Sequence, residues 1–271
     1  MIGGNEAIRL VVSDVDGTLV DKQKQLTPAT VAAVGRLRAA GLGFTIISAR
    51  PRSGMMPIAE TLAIDAPMGA FNGGTVFTRD GTVLSQHFVE PYVAREMLEL
   101  VEDEPVDIWV FADDQWYASS DQGAHVDSER LASNQAPVIT DDFMSLHDRA
   151  DKITFVSDEP AVLQRIHERA GSLCNLATVV QSQTYYLDVT ALSGNKGAGI
   201  TALADALDVP LTAVAAIGDQ ANDLPMFEHA ALSIAMAQGP AEVRAKADFV
   251  TGGNDADGVA QAIDRMILGA R

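Results

Sequence analysis

The sequence predicts an α/β protein: a parallel sheet with helices on both faces, into which a smaller α+β domain is inserted. Three observations predict it. At both ends of the chain, short apolar runs rich in β-branched residues alternate with helix-length segments, the β-loop-α-β pattern of a parallel sheet with right-handed crossovers. Several of those runs end in Asp or Ser, and open α/β sheets bind their ligands just beyond the carboxyl ends of their strands. Between the two ends the texture changes to strands joined by turns and helices, as in a small, largely antiparallel α+β unit. The core is expected over 1–83 and 191–271, and the inserted cap over 84–190.

Taken in order, the first strand is the apolar run Leu10-Val11-Val12, which leads into Asp14, Asp16 and the turn Gly17-Thr18. After a polar loop, Thr27-Pro28 reads as an N-cap and first helical position. Val31, Val34 and Leu37 keep helical spacing, and Gly41 closes the helix. A second strand begins at Gly43 and ends at Ser48 and Arg50, followed by a helix over Ser53–Leu62. Pro67–Phe71 predicts a third short strand running into Asn72-Gly73-Gly74. Thr75–Val89 predicts a hairpin across Asp80-Gly81, a dipeptide that turns strands readily. In the cap we expect a helix over Pro91–Glu102, paired strands Val106–Phe111 and Gln115–Ala118, and a strand over Lys152–Val156. A helix over Glu159–Ala170 and a hairpin of Thr178–Gln181 with Tyr185–Val189 complete it; the segment 140–150 is polar and poorly periodic. The α/β pattern then resumes with a helix from Lys196 to Leu207 and a strand from Ala213 to Ile217 ending in Gly218-Asp219. A helix from Asp223 to Ala230, a strand Leu232–Ala235, a helix Pro240–Ala245, a strand Phe249-Val250 and a helix Val259–Leu268 close the chain.

Composition narrows the function classes. The 271 residues are 47% apolar, enough for two domains each with a core of its own. The formal charge is −18, from 19 Lys+Arg against 37 Asp+Glu. A field of that sign disfavours nucleic acid and anionic membranes, and it opposes an anionic substrate unless the site carries its own cations. No apolar run approaches the ~18 residues of a membrane span, and the N-terminus shows no signal sequence, so a cytoplasmic protein is expected. Cys174 stands alone and reads as a small packing residue. The five histidines (87, 125, 147, 167 and 229) have no metal-ligand spacing and read as surface residues. Neither a G-x-G-x-x-G after the first strand nor a G-x-x-x-x-G-K-[ST] exists, so dinucleotide and P-loop sites are not indicated.

The chemistry is expected where strand ends converge. Asp14 and Asp16 follow the first strand, Ser48 ends the second, Asp219 ends a later one within Ile-Gly-Asp-Gln-Ala-Asn-Asp-Leu-Pro-Met, and Lys196 begins a helix. In a parallel sheet these points lie on one edge, so residues from opposite ends of the chain meet. Neighbouring carboxylates repel unless a cation lies between them, and hard oxygen ligands suit Mg²⁺. Carboxylates, a hydroxyl, an ammonium and an amide together are what Mg²⁺-dependent phosphoryl transfer requires. Each residue also has a plainer reading: Lys196 as an exposed helix-start lysine, Ser48 as a strand-end cap, Asp223 as an acid favoured at a helix N-terminus. Arg50 either clamps substrate or pairs with a core acid. Asn72-Gly73-Gly74 is either a loop close to the site or only a turn.

The sequence resembles the haloacid dehalogenase (HAD) superfamily phosphatases of the Cof type, subfamily IIB. Asp14-Val-Asp-Gly-Thr-Leu, Ser48, Lys196 and Gly218-Asp-Gln-Ala-Asn-Asp correspond to its four motifs in order, and further matches run through Leu224-Pro-Met, Ala235-Met-Ala, Ala247-Asp-Phe-Val-Thr and Asp257-Gly-Val. The resemblance covers roughly the first and last 80 residues and implies a Rossmann-like core with an inserted α+β cap of the C2B type. It implies Asp14 as nucleophile, forming an aspartyl-phosphate, and Asp16 as acid and then base. It implies a Mg²⁺ held by Asp14, Asp16 (through its main-chain carbonyl), Asp219 and Asp223, the last either a ligand or an orienting residue. Ser48, Lys196 and Asn222 would hold the phosphate, with Arg50 and Asn72 as further candidates. Two departures stand out: Ala49 where a Gly usually follows the hydroxyl, and Gln238-Gly239 where Asn-Ala is usual. The expected substrate is a small phosphorylated metabolite such as a sugar phosphate, chosen by the cap, where Trp109, Trp116, Asp113, His125 and Tyr186 are candidate contacts. A monomer or homodimer is expected. The alternatives are a phosphomutase of the phosphomannomutase kind and a non-catalytic protein that binds phosphorylated metabolites.

Overall fold

The computed structural model describes residues 7–269. Its central sheet has five parallel strands in the order Phe249–Val250, Leu232–Ala235, Val214–Gly218, Leu10–Ser13, Gly43–Ile46. Leu10–Ser13 is therefore an inner strand, with Leu10 level with both Gly43 and Val214. All four of its residues are buried, which accounts for the unbroken apolar run: a strand covered on both faces has no polar alternation to show. Val11 packs with Ala33, Val34, Leu37, Met55 and Ile263 on one face. Leu10 and Val12 pack with Ile200, Leu203, Met226 and Val243 on the other.

The helix stop and start signals act as expected. Thr27 Oγ1 accepts from Thr30 N at 3.2 Å, and the helix Pro28–Ala39 runs to Gly41, whose φ of +80° suits glycine. Met68–Ala70 does not extend the parallel sheet. It touches that sheet only through a bridge between Ile47 and Gly69, and instead leads an antiparallel sheet with Thr75–Phe77 and Val83–Gln86. The expected core–cap boundary at 83/84 falls inside the last of these strands.

The cap is a six-stranded sheet in the order Ala177–Gln183, Tyr186–Ala191, Ala150–Val156, Asp107–Ala112, Gln115–Ala118, Val138–Ile139. All pairs are antiparallel except the last. The helices Pro91–Leu100 and Pro160–Arg169 cover one face, giving a second core with Val93, Met97, Ile153, Phe155, Leu163 and Ile166. The other face carries Trp109, Phe111 and Trp116, which share an apolar cluster with Met55 and Phe71 of the core; the Phe71 and Phe111 rings lie 5.8 Å apart. Two cap elements had no counterpart in the sequence reading, the helix Val126–Ser133 and the strand Val138–Ile139. The helix lacks an apolar stripe: its buried residues are Val126, Glu129 and Ser133, and its Leu131 is 71% exposed. It packs against the core helix Arg52–Leu62, where Gly54 makes the approach possible. A Cβ on Gly54 would lie 2.1 Å from the Ala132 carbonyl oxygen.

Candidate active site at the carboxyl edge of the parallel sheet

Beyond Ser13 the chain continues between its neighbours, with Asp14 N donating to Ile217 O at 2.9 Å. It then turns sharply: the Val15 carbonyl accepts from the amides of Leu19 and Val20 at 2.9 and 3.1 Å. Gly17 sits at φ +83°, and a Cβ there would meet the Asp219 carboxylate at 2.5 Å. Glycine is needed because the first and fourth loops touch at this point. Gly218 shows the same restriction, a Cβ there lying 2.5 Å from the Asp223 carboxylate.

Asp14, Asp219, Asp223 and Lys196 form a buried cluster, none more than 5% exposed. Lys196 Nζ donates to Asp14 Oδ1 and to Asp223 Oδ1, both at 2.5 Å. Lys196 is the first residue of the helix Lys196–Ala206, and Asn195 caps that helix by accepting from the amides of Gly197 and Ala198 at 3.1 and 3.0 Å. The second oxygen of Asp223 accepts from the amides of Asp219 and Gln220 at 2.7 and 2.9 Å, so Asp223 shapes the loop that presents Asp219. Asp219 itself accepts from Thr18 Oγ1 and Gln220 Nε2, each at 3.1 Å.

The cluster carries more negative charge than its own cation balances. Burial, with repulsion from Asp223 and Asp219, pushes the Asp14 carboxyl up to about 8 against the pull of Lys196. Burial and Asp223 push Asp219 up to about 6. Burial works against the Lys196 charge, but Asp14 and Asp223 outweigh it and hold the ammonium protonated, above its ordinary range. Oxygens of Asp14, Asp219 and Asp223 all lie within 4.8 Å of one another. Three hard carboxylates sharing one ammonium fit a divalent cation well, and these three residues could hold one.

Asp16 stands apart from that set. Its carboxylate takes both prongs of the Arg50 guanidinium, Nε at 2.7 Å and Nη2 at 2.8 Å, and Lys24 Nζ at 2.5 Å. Burial alone would raise its carboxyl, yet Arg50 and Lys24 hold it well below the usual carboxylate range. Of the two readings open for Arg50, the structure displays the pairing with an acid; its remaining prong donates to Gly54 O at 3.1 Å. Ser48 is buried, and its hydroxyl accepts from Arg50 N at 3.2 Å.

Apart from Lys196 and Asp223, which do not line it, these residues open into one cavity of about 270 Å³ between core and cap. Asp14, Asp16, Ser48, Arg50, Asp219 and Asn222 line its core side. Ala49, one of the two departures from the family pattern, lines it as well. The other departure is structural. Gln238 Nε2 donates to Gly17 O at 2.5 Å and its Oε1 accepts from Asn254 N at 3.2 Å, tying the loop after the first strand to a C-terminal one. Asn72 does not line the cavity. It has φ +58°, its amide donates to Ser48 O at 2.7 Å, and its buried Oδ1 has no partner among the described residues. It therefore supports the Ser48 loop from behind. A larger crevice of about 620 Å³, lined by Gln86, His87, Phe88 and Leu192, lies at the core–cap connections and contains none of these groups.

The cap side of the cavity differs from expectation. Of the five candidates only Tyr186 lines it. Trp109 and Trp116 are 1% and 0% exposed because they pack the cap onto the core. Asp113 is at an exposed turn, paired with Arg149 at 2.7 Å. His125 lies one layer back, stacked 3.7 Å from Tyr185 and bonded to Asp158 at 2.7 Å, so it is half-buried rather than a surface group. The cap residues that do face the cavity include Glu129, Lys152, Tyr185 and Asp188, none of which the sequence reading singled out. For Lys152 a signal existed: it is a charge inside Ala150–Val156, a strand buried at every position.

Known proteins resemble this chain in sequence and in fold. A model of the haloacid dehalogenase-like hydrolases matches residues 11–263. The chain is 25% identical to the 5-amino-6-(5-phospho-D-ribitylamino)uracil phosphatase of Bacillus subtilis, over 97% of this chain and 99% of that protein. It is 26% identical to the pyridoxal phosphate phosphatase of Escherichia coli, over 94% and 97%. The fold superposes on a crystal structure of a haloacid dehalogenase-like hydrolase from Bacteroides thetaiotaomicron with a TM-score of 0.86 and 25% identity, covering 96% of this chain and 99% of that one.

Proposed function

Because this chain belongs to the haloacid dehalogenase-like hydrolase family, we propose that it is a Mg²⁺-dependent phosphatase that hydrolyses small phosphate monoesters through Asp14. The observation that carries the reading is the buried cluster itself: a carboxylate at the first strand end, bonded to Lys196 and beside Asp219 and Asp223, at the floor of the core–cap cavity. Asp14, Asp219, Asp223 and the main-chain carbonyl of Asp16 would hold Mg²⁺, which when bound neutralises the carboxylates and the charge of the phosphoryl oxygens. Ser48, Lys196 and Asn222 position those oxygens, so that an anion is accommodated in a protein of charge −18.

The chemistry then divides between two aspartates. Asp14 attacks phosphorus, the Asp14–phosphorus bond forms and the bond to the ester oxygen breaks. Asp16 gives its proton to the departing oxygen. It next takes a proton from water, whose oxygen attacks phosphorus and frees Asp14. Asp16 must carry a proton for the first step, although Arg50 and Lys24 hold it ionised. Both cations line the cavity, so an arriving phosphate dianion competes for them and loosens their hold on Asp16. Closure of the cap keeps bulk water from the aspartyl-phosphate.

The test is phosphate release from a panel of metabolite monoesters, with Mg²⁺ present or chelated, beside Asp14→Asn. Release that disappears in both controls is the expected result. An isomerised ester without released phosphate would identify a mutase instead, and ligand binding without either product would identify a binding protein.

A further inference from the structure

Glu129 and Lys152 both line the cavity from the cap, and both are more than nine-tenths buried, at 8% and 7% exposed. Among the described residues, no hydrogen bond or ion pair reaches the Glu129 carboxylate or the Lys152 ammonium; the ammonium lies 4.6 Å from the Phe111 ring and attracts the Glu129 carboxylate from beyond ion-pair distance. Asp188, beside them, is already engaged by Thr154 Oγ1 at 2.6 Å. Largely buried charges that lack hydrogen bonds are costly even when, as here, two of opposite sign attract one another at the wall facing the nucleophile. Both are supplied with what they lack when a ligand fills the cavity.

We infer that Glu129 and Lys152 read the leaving group, and that they select one whose end remote from the phosphate is uncharged and hydroxylated. The inference rests on the phosphatase reading of the site. Lys152 can only donate and an ionised Glu129 can only accept, and a hydroxyl is the simple group that satisfies both. A second carboxylate or phosphate accepts but cannot donate, and it adds negative charge beside Glu129 and Asp188. An ammonium donates but cannot accept, and it adds positive charge beside Lys152. Tyr185 and Tyr186, edge-on to one another with His125 stacked behind Tyr185, form the adjoining aromatic wall.

The matched probes are glucitol 6-phosphate and 6-phosphogluconate, which share a carbon chain and differ by a hydroxyl against a carboxylate at the far end. Inorganic phosphate, which has no leaving group, is the reference. Calorimetric binding to the full-length Asp14→Asn protein with Mg²⁺ is measured at pH 8, above the value of about 7 to which burial lifts Glu129. We expect glucitol 6-phosphate to bind about tenfold more tightly than 6-phosphogluconate, with Glu129→Gln bringing the two toward parity. Lys152→Met should lower the affinity for glucitol 6-phosphate relative to inorganic phosphate by about tenfold and widen the preference over 6-phosphogluconate. Equal binding of the two esters, or substitutions that shift both esters and inorganic phosphate by one common factor, would overturn the inference. Phosphate release by the protein with Asp14 intact separates the two readings. Release without this selectivity ends the assignment of Glu129 and Lys152, while selectivity without release ends the phosphatase reading and leaves the assignment of the pair standing.

Discussion

Lys196 meets two carboxylates at 2.5 Å with 1% of its surface exposed, so Lys196→Met leaves three buried acids facing one another. Breaking a buried pair by removing one partner costs about 3–5 kcal/mol. A thermal melt should show that loss, and Mg²⁺ should raise the melting temperature of the variant more than that of the parent, because the cation replaces the missing charge. A smaller benefit in the variant would contradict the shared-charge account. The same crowding sets a pH dependence. Burial raises Asp14 to about 8, Glu129 to about 7, and Asp151 and Asp219 to about 6. Carboxyls with raised folded values contribute stability that is full below about pH 4 and lost as pH rises through those values. Asp16, with its lowered value, acts in the opposite sense and only below about pH 4. The metal-free protein should therefore melt at lower temperature at pH 8 than at pH 5. Glu129→Gln should remove about 3 kcal/mol of that slope, read from chemical denaturation at the two pH values.

At the scale of elements, the helices carry site residues at their ends or press them into place. Asn195 caps the helix that begins with Lys196, so Asn195→Ala should cost about 1 kcal/mol and lower kcat more than it changes the fold. Unchanged kcat would mean that burial alone positions Lys196. Gly54 allows the cap helix Val126–Ser133 to reach the core, and Gly54→Val should cost about 1–3 kcal/mol while displacing Glu129 from the cavity. A crystal structure of the variant with the helix unmoved would refute that. These elements also explain what could be read in advance. Asp14, Ser48 and Asp219 were legible because each follows an apolar strand, where a polar residue is out of pattern. Glu129 was not, because its helix has too few apolar residues to announce itself. The tryptophans misled for the opposite reason. Large amphipathic rings suit ligand contacts, but here their area serves the contact between cap and core.

At the scale of the molecule, the charge of −18 surrounds a site built for an anion. The long-range field opposes the substrate and only the local cations favour it, so moderate salt should help rather than hinder. Between about 20 and 150 mM salt, kcat/KM should rise by about twofold, the reverse of the usual trend for steered ligands. A fall over that range would mean that Arg50, Lys24 and Lys196 already govern the approach. The molecule also has two kinds of core. The one beneath the cap helices draws, among the described residues, on positions from Val89 to Val189, whereas the central sheet joins Leu10–Ser13 to Val214–Gly218. A ribosome makes the chain from its N-terminus. When Asp14 emerges, its neighbouring strand Val214–Gly218 and its partner Lys196 have yet to be synthesised, and the cap is completed first. One side of the inner strand thus stays an open edge until most of the chain exists, and catalytic competence arrives last. Nascent chains halted before Val214 should hold a folded cap on an unclosed sheet, the form most exposed to chaperones and to aggregation.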